Sequence, residues 1–500
     1  MIIGPKPDED YRHRHDEGIR VKGYTHQWAD ALRAVRRLVA NPNPDQTYAV
    51  RELELANFGY RRGERKMAKI QTDLDKEETL AAFVKALPNL RQVRLSNAGP
   101  PFEAFLQALN EHPNKPDVHL LGETGLRLVS GPLPCVATIR ARVNPYTDKP
   151  EKANTRMTDL QKLFLSCTNL RSFALTVSGN YGGCMRPHIH HTVTENFQFD
   201  GGKVTFPPLE SLSLNGYHPA EDEGEWPYWR DGMQWGRLKS LSLGPHPIGH
   251  GESGTSLLQH FQGLATSLRS LTVVCWASEG SEKPAVLRRF LESFDTLVEI
   301  TVKRHFVPAR SLITHKKLRK LILHCIEVER PEGESRPTLD VDDLVLLDNS
   351  CTELEELEID ISRDTSGQWP KPILETLAAS FPNLRRLTLH CEVGIDFSGG
   401  FYGAPERPEG PLLPILDETV VRTFAEPFFA LRGPSKLENL TLKTGENLRR
   451  FPQWPPTYSY QERGWERVRH VYPSGRDGEV KVERGESASW YQYSDWFDSD

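Results

Sequence analysis

A six-residue phrase, leucine-x-x-leucine-x-leucine, returns along almost the whole of this chain. It reads LESLSL from Leu209, LKSLSL from Leu238, LRSLTV from Leu268, LVEITV from Leu297 and LRKLIL from Leu318. It continues as LEELEI from Leu354, LRRLTL from Leu384 and LENLTL from Leu437. Earlier copies are VRELEL from Val50, LRQVRL from Leu90 and LRSFAL from Leu170, and a degenerate one starts at Leu133. Successive starts from Leu209 to Leu297 lie 29, 30 and 29 residues apart. A unit of that length cannot bury its own apolar face, so it is stable only when stacked on its neighbours.

The phrase alternates as a strand does, with positions one, four and six apolar. Most copies follow a stretch with helical spacing, such as TLAAFVKALPNL, LLQHFQGLATSL, VLRRFLESFDTL and ILETLAASFPNL. A first amphipathic helix is expected around 28–39, with Trp28, Leu32, Val35 and Leu38 on one stripe. Helix, short turn and strand in constant order predict an α/β chain built as an irregular leucine-rich-repeat solenoid. About eleven repeats would give a concave parallel sheet and convex helices. The P-N-L and C-T-N-L turns are read as helix stops.

The division that follows is a charged, disordered segment over 1–27, the solenoid over 28–445, and an aromatic cap or tail over 446–500. Within the tail, RVRHVYPSGRDGEVKVERGE reads as a capping hairpin turning at SGRDG. Insertions break the period, above all the acidic, aromatic loop 216–236 and the Pro- and Gly-rich loop 393–412.

Composition narrows the function. The net charge of −6 provides no overall basic field for nucleic acid. No apolar run is long enough for a signal peptide or a membrane span, so no membrane partner is expected and the location is read as cytoplasmic or nuclear. Five of the seven cysteines repeat with the array. Cys275, Cys325 and Cys391 fall at position eight, Cys167 and Cys351 three residues before the phrase. They read as small buried residues and not as a disulfide framework.

Two strings suggest chemistry and neither has the context it needs. Gly249-x-Gly251-x-x-Gly254 follows a predicted strand, but Gly244, Pro245 and Pro247 lengthen the turn and no acidic residue closes the next strand. Cys184 with His188, His190 and His191 lacks the second ligand pair of a structural zinc site. The sequence therefore assigns no catalytic residue, no metal ligand and no cofactor.

Positions three, five and seven point away from the core. They are small and polar from Ser172 to Thr272, then long and ionisable: Glu299, Lys303, Lys320, His324, Glu356, Glu358, Asp360, Arg386, His390 and Lys443. Parallel strands about 4.8 Å apart would place Lys320, Glu356 and Arg386 on successive rungs. These residues, with Trp226 and Trp229 of the aromatic loop, are the candidate surface for a protein partner. Neutralisation of one rung by the next is the competing role.

ALRAVRRLVANP leading into VRELEL, then F-x-x-x-L-P-N-L-R-x-[LV]-x-L units with aromatic insertions, resembles fungal F-box-associated leucine-rich-repeat proteins over roughly residues 28–445. The resemblance implies repeats that select a substrate and an F-box helix bundle that binds a Skp-type adaptor of a cullin ubiquitin ligase. Residues 1–27 hold no leucine-proline opening and no three-helix pattern. Adaptor binding would thus require an F-box upstream. The expected function is non-enzymatic protein recognition in such a context. The alternatives are a scaffold without a ligase link and, behind it, a nucleotide- or zinc-dependent enzyme.

Overall fold

The computed structural model describes residues 18–21, 24–27, 35–41, 47, 49–56, 78–96, 103–123, 131–143, 150–177, 197, 199, 202–217, 225–244, 255–274, 283–303, 305–325, 337–362, 370–391, 418–433, 435–444, 467–474 and 479–484. The chain divides into two compact units. One holds residues 1–180, 187–212 and 221–234; the other holds 181–186, 213–220 and 235–500.

In the first unit, β3 (Glu52–Ala56), β4 (Gln92–Ser96), β5 (Asp117–Glu123), β6 (Val136–Val143) and β7 (Ser172–Val177) pair in parallel, each with the next. Residues 78–85, α1 (Glu103–Asn110) and α2 (Pro150–Ser166) supply the intervening helices. Two findings differ from the sequence reading. Within the segment read as disordered, β1 (Gly18–Val21) and β2 (Tyr24–Gln27) form an antiparallel pair, and β1 also pairs antiparallel with β3. The phrase does not mark β5, because DVHLLGE follows a Pro-rich turn and lacks the leading leucine.

After β8 (Ser211–Asn215), the second unit holds β9 (Ser240–Leu243), β10 (Ser270–Val274), β11 (Glu299–Lys303), β12 (Lys320–His324), β13 (Glu356–Ile361), β14 (Arg386–Cys391) and β15 (Asn439–Thr444), parallel in chain order from β9 to β15. Between them run α4 (Thr255–Phe261), α5 (Lys283–Glu292), α6 (Val341–Ser350), α7 (Lys371–Ala379) and α8 (Glu418–Arg432). A 3-10 turn (Ala309–Ser311) replaces a helix in the short repeat before β12. The predicted hairpin forms as β16 (Arg467–Pro473) and β17 (Val480–Arg484), with β16 antiparallel on β15. It covers the open edge of the last parallel strand, where unpaired amides would otherwise invite another chain.

The alternation is what builds the core. From Leu268 to Leu442, every described residue at positions one, four and six of the phrase is at most 5 % exposed. Burying one such side chain contributes about 1.5–3 kcal/mol, which favours stacking at each repeat. The turns are stitched as well. The amide of the leading leucine bonds to the carbonyl three residues back, as in Leu318 to His315 (3.0 Å), Leu354 to Cys351 (3.1 Å) and Leu384 to Phe381 (3.0 Å). The residue at position two then donates to its counterpart in the preceding repeat, in the series Arg319 to Val298, Glu355 to Arg319 and Arg385 to Glu355, each 2.8 Å.

The turn asparagines do something other than end helices. Asn383 Nδ2 donates to the Thr352 carbonyl (2.8 Å) and Asn169 Nδ2 to the Pro134 carbonyl (3.0 Å), each in the preceding turn. Thr296 Oγ1 does the same toward Leu268 (2.6 Å). The side chain thus fills a carbonyl that a tight turn leaves without a backbone partner.

Part of the loop expected over 216–236 is helical, as α3 (Trp226–Gly232), and belongs to the core of the first unit. Trp229 is fully buried and Trp226 is 9 % exposed. The Trp229 ring packs on Phe164, Phe197 and Phe206 at centroid distances of 5.0–6.1 Å. Its Nε1–H donates to Glu225 Oε1 at 2.7 Å. The aromatic composition of this segment therefore signals a core, and neither tryptophan offers a contact face.

Candidate functional site

The ionisable residues at positions three, five and seven of β11 to β15 meet as an ordered face of the second unit. Register places Glu299 beside Lys320, Lys320 beside Glu356, and Glu356 beside Arg386. It likewise places Lys303 beside His324, Asp360 beside His390, and His390 beside Lys443. Repetition of one phrase forces this: a residue at a given position lands one rung from the same position in the next repeat.

Two rows differ in depth. At position three, Lys320 Nζ lies 3.2 Å from Glu356 Oε1 and Arg386 Nη2 lies 2.7 Å from Glu356 Oε2. Ser270 Oγ donates to Glu299 Oε2 at 3.3 Å. Arg386 keeps 61 % of its side-chain surface and Lys320 keeps 36 %. The hydrogen bond that Arg386 donates to Glu356, and then the charge of that carboxylate, raise the pKa of Arg386. This row remains open to a partner.

Positions five and seven of β12 to β14 are sunk. His324 Nδ1 lies 2.8 Å from Asp360 Oδ1, and the Cys325 amide donates to Asp360 Oδ2 at 2.5 Å. Asp360 thereby closes the end of β12, beyond the last rung of its ladder with β13 at Ile322–Glu358. His390 Nε2 lies 2.7 Å from Glu358 Oε1, and Lys443 Nζ reaches the same oxygen at 3.4 Å. The two imidazoles stack with centroids 3.7 Å apart, although β13 separates their strands by two rungs, about 9.6 Å. Both rings therefore lean over β13. Side-chain exposure falls to 9 % for His324, 5 % for Asp360, 12 % for His390 and 16 % for Glu358.

Burial sets the electrostatics here. It lowers the pKa of His390, and the neighbouring His324 adds to the effect while Glu358 opposes it. For Glu358, burial acts to raise the pKa. The hydrogen bond and charge of His390, with the Lys443 and Lys303 ammonium groups, override it and hold the carboxyl well below the usual range. Burial, with His324 beside it, thus favours the neutral form of the His390 imidazole.

A second polar feature lies where the strands begin. Arg319, Glu353, Glu355, Asn383, Arg385 and Lys436 line an open groove of about 270 Å³. Its charges are largely paired, with Arg319 Nε 3.4 Å from Glu353 Oε2 and Arg385 Nη1 3.2 Å from Glu438 Oε1. Sequence reasoning did not single it out, although position two alternates Arg and Glu along these repeats.

The structure thus brings together Lys320, Glu356 and Arg386 in one row and His324, Glu358, Asp360, His390 and Lys443 in another. Glu299 and Lys303 flank them on β11, and Trp226 and Trp229 belong to the first unit. The Gly249–Gly254 string, the Cys184/His188/His190/His191 cluster, Cys275 and the 393–412 loop lie outside the described residues. Among the described residues no helix is long and apolar enough to cross a membrane. Among the described residues, five cysteines are free thiols. Comparison with protein-family models and with curated proteins gives no match.

Proposed function

We propose that the chain is a leucine-rich-repeat array that recognises a protein partner, without catalysis of its own, through the outer face of β11 to β15. The observation that carries this reading is the row structure of that face. Its ionisable positions hold four carboxylates (Glu299, Glu356, Glu358, Asp360) and four cationic side chains (Lys303, Lys320, Arg386, Lys443), in register across five strands. Such a balanced mosaic has no single-sign field to draw a polyanion. It matches a partner surface that is itself mosaic, as protein surfaces are. The long exposed side chains of Arg386 and Lys320 already have one carboxylate neighbour to hold their orientation, which reduces the ordering cost on binding.

The test is affinity purification of tagged protein from its own cells, analysed by mass spectrometry, for the wild type and for Lys320→Glu/Arg386→Glu. The expected result is a discrete partner set that the double variant loses while its circular dichroism is unchanged. Identical partner sets would refute the choice of face. The same eluate addresses the ligase reading. A Skp-type adaptor with a cullin supports substrate selection for ubiquitin transfer, and specific partners without them support a stand-alone scaffold.

A further inference from the structure

We propose that His324, Asp360 and His390 form a binding site for one divalent transition-metal ion of the zinc class. Each residue offers one donor atom, and these atoms all lie within 4.8 Å of one another. A tetrahedral ion with bonds of about 2.0–2.1 Å holds its donors about 3.3 Å apart, so on loading the two stacked rings must turn out of parallel to bring their lone pairs onto one ion. Two imidazoles and one carboxylate, without a thiolate, are a donor set suited to zinc with one position left open.

Two further features match a built site. The donors come from position seven of three successive strands, so the sheet itself fixes their spacing. The ligands are oriented from behind. His390 Nε2 is engaged by Glu358 at 2.7 Å, which leaves Nδ1 as the lone-pair nitrogen, and Glu358 is held in turn by Lys443. The Cys325 amide fixes Asp360 through its other oxygen.

The site stands whether or not a partner uses the outer face, since its residues are sunk beneath the exposed row. In this assignment Glu358 is a positioning residue. The test uses the full chain, stripped with a chelator and titrated with Zn²⁺ alone against a chromophoric competitor. The wild type and His188→Gln/His190→Gln/His191→Gln are expected to bind one equivalent. Glu358→Gln is expected to bind 10- to 100-fold more weakly, in the range of an orienting partner, and His324→Gln/His390→Gln more weakly still. Absence of binding by the wild type, or wild-type affinity in the double variant, overturns the proposal. X-ray absorption on the zinc-loaded wild type keeps the question independent of how the variants fold. Two imidazoles with oxygen donors support the assignment, and a sulfur ligand or a single imidazole overturns it.

Discussion

Arg432 is the side chain whose removal the structure predicts most sharply. It ends α8, yet its guanidinium reaches the C-terminus of α7. Nη1 donates to the carbonyls of Leu377 (2.9 Å) and Ser380 (2.9 Å), with a longer contact to Ala378, and Nη2 donates to Phe381 (2.7 Å). A cation there also meets the negative end of the helix. Phe381 is held at φ +57°, a conformation rare for a side chain of its size, with its amide on Asp348 Oδ1 at 2.7 Å. Burial lowers the pKa of Arg432 and Asp348 opposes that, so the group stays charged. Three charge-assisted bonds contribute about 1.5–3 kcal/mol each in isolation. One guanidinium serves all three and the losses overlap, so Arg432→Met is expected to cost about 3–5 kcal/mol. Arg432→Lys, a single point donor, should recover less than half. Urea denaturation combined with hydrogen exchange on the α7 and β14 amides reads the effect locally, which matters in a repeat array that need not unfold in one step. A cost below 1 kcal/mol, or α7 amides exchanging at the wild-type rate, would refute the reasoning.

Three other outcomes are expected. A Cβ on Gly244 would lie 2.4 Å from Asn215 Oδ1, so Gly244→Ala should destabilise by about 1–3 kcal/mol; Asn215→Gly in the same chain should restore most of it, and a purely additive double variant would contradict the clash. Burial lowers the pKa of His305 and His315 first of all, and of His119 together with nearby arginines. These groups stay neutral in the fold where the unfolded chain is protonated, so their contribution is present above pH 6.5 and is lost below it. Melting temperature should therefore fall from pH 7 to pH 5, and a flat profile would count against the burial of these rings. Burial pushes the thiols of Cys135 and Cys351 up to about 12 and about 11; alkylation at pH 8 should be slow until urea is added, and equal rates in both states would show that the sites are open.

Much of this fold was legible because one physical constraint was repeated. Each phrase needs a neighbour to cover Leu318, Leu321 and Leu323, or their equivalents, and the period says where the neighbour lies. The same arithmetic placed Lys320, Glu356 and Arg386 on adjacent rungs, where they are found. Depth was not legible. Alternation points position seven to solvent along with position three, whereas Asp360 is buried, accepting a backbone amide from the preceding repeat. That contact depends on where β12 leaves the ladder, which no alternation rule encodes. His324, Asp360 and His390 do share position seven of consecutive phrases, so alignment of the repeats brings out the trio that spacing along the chain hides. The tryptophans failed for a different reason. An acidic, aromatic insertion reads as surface, but Glu225 satisfies the Trp229 indole N–H and lets the ring enter the core.

The most direct test of the recognition face is lysine acylation of the tagged protein, free and in complex with the partners it retains. Lys320 and Lys443 rise from the outer face, whereas Lys371 sits on α7 with 84 % of its side chain exposed. Complex formation is expected to protect Lys320 and Lys443 and to leave Lys371 unchanged. Protection of Lys371 with Lys320 and Lys443 still reactive would place the partner on the helices and contradict it.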